Sequence, residues 1–208
     1  MLTINIPPSV RIPSESAAHG YGKHPNSNAS TSRAADGMAV WVRCMWANTA
    51  SEPCRTVLAA LGPKMLALAA ELTDGAHPYC VTPEHTAEAR RILGPGKLLC
   101  PELMVLLETD PTKARTAART ALATYIQLAN YANNWRRLGF TEDDLSGGGS
   151  NRFIDANVAW GDESAIRKRI QLFWDAGADH VCIQSIHPSG SRTTIDEQIF
   201  DLLAPSAN

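Results

Sequence analysis

The sequence predicts an α/β fold built on a parallel sheet. Short apolar runs alternate with longer segments of helical period from residue 55 onward, and Gly or Pro marks the junctions. Strands separated by helices of this length form βα units, whose strands run parallel. A third observation bounds the size: 208 residues at 44% apolar composition suit one domain with a sizeable core.

The elements follow in order. Thr56 to Ala60 is a short apolar run, the first strand. Gly62-Pro63 opens a helix, with the proline in the first turn, where its missing N–H is not needed. Leu61, Met65, Leu68, Ala69 and Leu72 recur at helical spacing, and Gly75 closes the unit. Ala76 to Val81 is the second strand. Thr82, Pro83 and Glu84 supply an N-cap, a first-turn proline and an acidic first turn for a helix running to Gly94. Leu103 to Glu108 is the third strand. Asp110-Pro111 starts a long helix through Ala114, Ala118, Leu122 and Tyr125 to about Asn130, and Asn133 to Leu138 adds a further helical turn. Thr141 caps a short helix, and Ser146-Gly147-Gly148-Gly149-Ser150 reads as a flexible loop. Asp162 caps a helix with Ile166, Ile170, Phe173 and Trp174 on one face, ended by Gly177. His180 to Ser185 is the fourth strand and Ile195 to Leu203 the last helix. Right-handed crossovers leave two architectures, an open doubly wound sheet or a barrel, and periodicity does not choose between them.

Residues 1–54 read differently. They hold Pro7, Pro8, Pro13, Pro25 and the polar run Asn26 to Ser32, with no sustained period beyond an apolar patch from Met38 to Trp46. This predicts an irregular N-terminal extension ahead of a domain at 55–208. A formal charge of -2 and a pI of about 6.3 give no basic excess for nucleic acid or anionic lipid. The longest apolar stretch, Met65 to Ala70, falls far short of the ~20 residues that cross a bilayer. Met1 to Ile6 meets Pro7-Pro8 without the apolar core of a signal peptide. Cys44, Cys54, Cys80, Cys100 and Cys182 are odd in number, scattered and without C-x-x-C, which fits a reducing cytoplasm.

In either architecture ligands meet the carboxyl ends of the strands. The informative one is Ala59, Ala60, Leu61, Gly62, Pro63 and Lys64: a glycine admits close approach, a helix start offers N–H groups suited to phosphate, and Lys64 adds charge. The same residues also describe an ordinary tight βα turn. Neither G-x-x-x-x-G-K-[ST] nor G-x-G-x-x-G is present. The other strand ends carry His77, Pro78 and Tyr79, then Glu108, Thr109 and Asp110, then Gln184 to His187. His77, Cys80 and His85 do not match a zinc-ligand spacing, so no metal is expected. His85 is placed within a helix, away from the strand end, and Cys80 and Cys182 are read as strand core residues. No G-x-S-x-G appears, and Arg167-Lys168-Arg169 reads as a solvated helix face. Trp135-Arg136-Arg137 suits an interface or a ligand phosphate. No catalytic residue is assigned.

Several stretches resemble a known family. Val57-Leu58-Ala59-Ala60-Leu61-Gly62-Pro63-Lys64-Met65, followed by Leu68-Ala69 and Asp74-Gly75, is similar to a segment of the luciferase-like monooxygenase superfamily, closest to its F420-dependent branch. Thr82 to His85, Leu107 to Pro111, Asn134 to Phe140 and Ala176 to Val181 agree in order and spacing. The resemblance covers about residues 55 to 204. It implies the C-terminal half of a (β/α)8 barrel, a partial TIM barrel of parallel strands with outer helices. It implies coenzyme F420, with FMN as the alternative, held at the strands' carboxyl mouth by Ala59, Ala60, Leu61 and Gly62, with Lys64 and His77 as neighbours. It also implies an oxidoreductase moving hydride between the cofactor and a small organic substrate, or a monooxygenase where reduced FMN meets oxygen. The alternative is a truncated, catalytically silent remnant or interaction module of the same fold. Half a barrel, against the ~250 residues of a whole one, is expected to leave two open strand edges and a bare inner face, and so to self-associate as a homo-oligomer. Gly20-Tyr21-Gly22-Lys23 resembles a further family segment, while residues 24–54 do not match. Translation of 24–54 in another frame and simple surface divergence are both readings of that gap.

Overall fold

The computed structural model describes residues 55–191 and 194–204, with the backbone of Trp41–Arg43. The expectations on Gly20 to Lys23, on the frame of residues 24–54 and on Cys44 and Cys54 lie outside the described residues. Strand β1 (Trp41–Arg43) pairs antiparallel with β2 (Thr56–Leu58). From β2 the chain winds in one direction. Helix α1 (Pro63–Leu72) leads to β3 (Gly75–Ala76), parallel to β2, and α2 (Pro83–Leu93) leads to β4 (Leu98–Leu99), parallel to β3. Strand β5 (Glu102–Leu107) continues the path of β4 after a break at Cys100-Pro101, where the proline has no N–H for the ladder.

The strands form two sheets, joined across the break by backbone hydrogen bonds. On one side of the β4–β5 path, Cys100 N–H donates to Ala76 and Glu102 N–H to Pro78, each at 2.9 Å. On the other side, Asp179 N–H donates to Leu99 and Cys182 N–H to Pro101, leading into β7 (Cys182–Ser185), which is parallel to β5. The strands β2, β3, β4–β5 and β7 thus lie side by side in chain order. A doubly wound sheet reverses its strand order at a switch point. These strands keep the order of a (β/α)8 barrel without closing, while the strand at Val158–Gly161 lies beside β5 on the side away from β7 and departs from that order. The short strand β6 (Val158–Gly161) pairs with Met104–Leu107 on the side that β3 leaves after Pro78. It fills the wedge between diverging strands.

Helices cover both faces. On the outer face Leu58, Ala76 and Leu99 stand in register and pack on Leu66 and Ala69 of α1 and Ala89 and Leu93 of α2. Leu103, Val105 and Ile183 continue that face under α7 (Glu163–Asp175) and α8 (Glu197–Leu203), through Ile166, Phe173, Ile199 and Leu203. On the inner face Met104 and Leu106 are buried beneath α3 (Pro111–Ile126), whose Ala114, Ala117, Ala118 and Ala121 let the helix approach closely. Trp135 of α4 (Ala129–Arg137) and Phe153 of α6 (Asn151–Asn157), which follows the one-turn α5 (Glu142–Leu145), complete this layer, in edge-to-face contact at 4.7 Å.

The structure corrects several expectations. The second strand ends at Ala76: His77 and Pro78 keep single backbone bonds to Leu58 and Glu102, and Cys80, at a left-handed φ of 51°, turns residues 79–81 away. Cys80 is core, but not strand. The expected long helix breaks at Gln127-Leu128, and α4 begins anew at Ala129. The segment from Ser146 is a 3-10 turn (Ser146–Gly148) leading into α6 and β6, both absent from the sequence reading. The inner face is not bare, since α3, α4 and α6 cover Met104 and Leu106, and the β2 edge is paired with β1. Among the described residues, no helix is long and apolar enough to cross a membrane.

Candidate functional site

The bend after β2 lies at the carboxyl edge of the sheet. Ala60 is buried against the outer core, Ala59 and Leu61 are half-buried, and Lys64 is exposed. Gly62 is the N-cap of α1, with Pro63 at N1 and no capping side chain. The first hydrogen bond of the helix runs from Leu66 N–H to the Gly62 carbonyl at 3.0 Å. The N–H groups of Lys64 and Met65 therefore face outward with the positive end of the helix dipole. Helices α2, α3 and α7 differ, with Thr82, Asp110 and Asp162 capping their first turns.

Two side chains from other helices converge on this bend. His85 of α2, expected away from the strand end, reaches it: its Nε2 lies 2.7 Å from the Leu61 carbonyl. A carbonyl only accepts, so Nε2 carries the proton and donates. Burial pulls the His85 pKa below its ordinary value, with the nearby Arg137 charge acting the same way and the Leu61 bond and Glu88 opposing. The ring is neutral near pH 7, and its buried Nδ1 has no partner. Arg137, at the end of α4, lies against Gly62: a Cβ placed on Gly62 would stand 3.4 Å from its Nη2. That nitrogen donates to Oδ1 of Asn134 at 2.8 Å. Asn134 is 1% exposed, and its Nδ2 is buried without a partner. Gly62 has an ordinary φ, and what marks it is this contact with Arg137.

His77 sits one residue past the β2–β3 ladder, its N–H on the Leu58 carbonyl at 2.9 Å, beside Ala59. Its Nδ1 donates to the Cys100 carbonyl at 2.5 Å, and burial lowers its pKa while that bond opposes. His77, Cys80 and His85 therefore do not converge; each is held by a different partner. A second polar group lies on the inner face. Glu102 is 1% exposed, and its Oε2 accepts the Cys80 N–H at 2.9 Å while Oε1 is unpartnered. Burial pushes its carboxyl up to about 8, against the pull of the Cys80 bond. Tyr79 bonds to Gln184 and stacks toward Tyr125, and burial raises its hydroxyl pKa first, with Glu102 next. Sequence reasoning missed Glu102, although a carboxylate opening the run Leu103 to Leu107 was a visible signal. It named Arg137 within Trp135-Arg136-Arg137, as suited to an interface or a ligand phosphate.

The fold defines a class, proteins that wind βα units in barrel order with ligands at the carboxyl edge. One solved structure is similar to this chain in fold. The coenzyme F420-dependent tetrahydromethanopterin reductase of Methanopyrus kandleri superposes with a TM-score of 0.54 at 18% identity, over 69% of this chain and 47% of that one. An F420-dependent secondary alcohol dehydrogenase, solved with an F420-acetone adduct, gives a TM-score of 0.49 at 16% identity, over 74% of this chain and 50% of that one. The chain spans about half the length of these two structures. At such identity the likeness is one of fold. No protein-family model and no curated protein matches the sequence.

Proposed function

We propose that this chain forms half of the cofactor-binding barrel of an oxidoreductase that uses F420, with FMN as the alternative. The observation that carries the reading is the bend at Gly62: an uncapped helix start and a guanidinium meet at the carboxyl edge of barrel-ordered strands. Those groups fit the phosphate of a ring cofactor, because all of them present N–H donors or positive charge. Ala59, Ala60, Leu61 and Gly62 would hold that group through backbone atoms, with Lys64 adding charge and His77 flanking Ala59. When bound, the deazaflavin supplies hydride chemistry toward a small organic substrate. The protein's part is positional. His85 fixes the Leu61 carbonyl, and α1 offers its free N–H groups.

A specific observation favours the second reading, a catalytically silent remnant or interaction module. Helices α3, α4 and α6 occupy the inner face over Met104 and Leu106, where a complete barrel keeps its own side-chain interior. Titration of the purified chain with F420 and with FMN, read by cofactor fluorescence, separates the two. Saturable binding of either supports the oxidoreductase reading. Binding of neither, by protein that melts cooperatively, favours the silent module.

A further inference from the structure

Two adjacent arginines on α4 have unlike surroundings. Arg136 makes a two-point pair with Glu142, Nε to Oε1 at 2.5 Å and Nη2 to Oε2 at 3.0 Å. Arg137 has no carboxylate partner among the described residues and is held instead by the neutral Asn134, 2.8 Å away. A charged pair would have satisfied the guanidinium; an amide orients it and leaves its charge available. The carboxamide that does so is itself almost fully buried, with one amide nitrogen lacking any partner. Leaving such a group unmade is destabilising. Asn134 is thus a costly residue at this position, placed where it aims Arg137 across Gly62 and the open first turn of α1.

We infer that Arg137, positioned by Asn134, is the anion-binding side chain of the Gly62 bend and takes the phosphate group of the bound cofactor. This rests on the redox reading given above for the identity of the cofactor, and on geometry alone for the anion. Gly62 lies beside it: a Cβ there would touch Nη2 at 3.4 Å, an ordinary contact, while a bulkier side chain would compete with the guanidinium for the same space. The guanidinium would hold the phosphate together with the Lys64 and Met65 N–H groups, each supplying N–H donors and positive charge. Asn134 is a positioning residue and touches no ligand.

The test compares a phosphorylated ligand with its phosphate-free core. F420 and the deazaflavin core lacking phosphate are titrated against wild-type protein, Arg137→Met and Arg137→Lys, with thermal melts as a check on folding. Arg137 is exposed, so its variants are expected to fold. Arg137→Met is expected to weaken F420 binding about 10- to 100-fold, the usual worth of a hydrogen bond to a charged group, and to leave core binding unchanged. Arg137→Lys is expected to fall between, because it keeps the charge and loses the planar set of N–H donors. Equal F420 affinity in wild type and Arg137→Met overturns the inference while leaving the redox reading intact, as does equal loss of F420 and core. If wild type binds neither ligand, the redox reading fails, and inorganic phosphate decides the anion site. Shifts of the Gly62 and Lys64 amide resonances that vanish in Arg137→Met support the site; no shift in wild type removes it.

Discussion

Glu102 sets a pH dependence that can be worked out from its surroundings. Its carboxyl is pushed up to about 8 in the fold, against 4.5 ordinarily. The folded state holds the proton more tightly, so the contribution is whole below pH 4.5 and is lost as the pH rises toward 8. Across that window the group lowers unfolding free energy by on the order of 1 kcal/mol per pH unit. His77 and His85 run the other way. Burial lowers both, so their contribution is whole above pH 6.5 and is lost as the pH falls through their depressed values. Glu102→Gln is therefore expected to abolish the decline in denaturation midpoint between pH 6.5 and 8 while keeping the loss in acid. A variant that declines as wild type does shows the carboxylate ionised in the fold. At the bend, Gly62→Ala is expected to weaken a phosphorylated ligand by no more than several-fold, within about 1 kcal/mol, because the added methyl meets the guanidinium at an ordinary contact distance. Its melting temperature is expected to stay near that of wild type; a large drop instead would place a tight contact in the backbone. The bend itself was legible from residues 59–64, since glycine and proline at a strand-to-helix junction have few other uses. Arg137 and His85 were not legible as its neighbours. Each comes from another helix, and only the packing of α2 and α4 brings them to it.

At the scale of elements, legibility followed local chemistry. Thr82, Asp110, Thr141 and Asp162 announce their helices as N-caps, and each accepts a first-turn N–H as expected. Strand β6 was invisible because Val158–Gly161 is too short to show a period and its pairing partner lies some fifty residues earlier, at Met104–Leu107. The early end of β3 was hidden for a related reason. Residues 79–81 turn away from the ladder, held by Glu102 at the Cys80 N–H and by Trp135 Nε1 at the Cys80 carbonyl, both long-range contacts. Register between β3 and β4 hangs on Gly75, where an added Cβ would stand 2.0 Å from the Leu98 carbonyl oxygen. Gly75→Ala must push two backbones apart and is expected to cost about 3 kcal/mol or more. Gly94→Ala is the control: its φ of 74° is strained for alanine, but nothing lies within 4 Å, so about 1 kcal/mol is expected. Urea midpoints of the two variants measure the difference, and equal losses would mean that β3 and β4 adjust freely.

At the scale of the whole molecule, half a barrel faces a solvent problem that a closed one does not. Each strand has an inward set of side chains, and a barrel buries them against the opposite strands. Here the strands stop at β7, and the inward set of β5 is Glu102, Met104 and Leu106. The fold answers with its own chain: α3 lays four alanines over Met104 and Leu106, and α4 and α6 extend the cover through Trp135 and Phe153. That arrangement differs in consequence from an open half-barrel awaiting a partner. If the inner face were open, a lysine at Met104 would snorkel to water at little cost and would discourage self-association. Because Met104 is 1% exposed, Met104→Lys strands an ammonium beneath α3 and is expected to cost 4 kcal/mol or more, roughly the range for an uncompensated buried charge. Leu72→Lys, on an outer helix and 60% exposed, is expected to change stability by less than about 0.5 kcal/mol. Guanidinium unfolding of both variants, with sedimentation at several concentrations, reads the outcome. A stable Met104→Lys protein that turns from oligomer to monomer would mean that a second copy, and not α3, covers the inner face in solution.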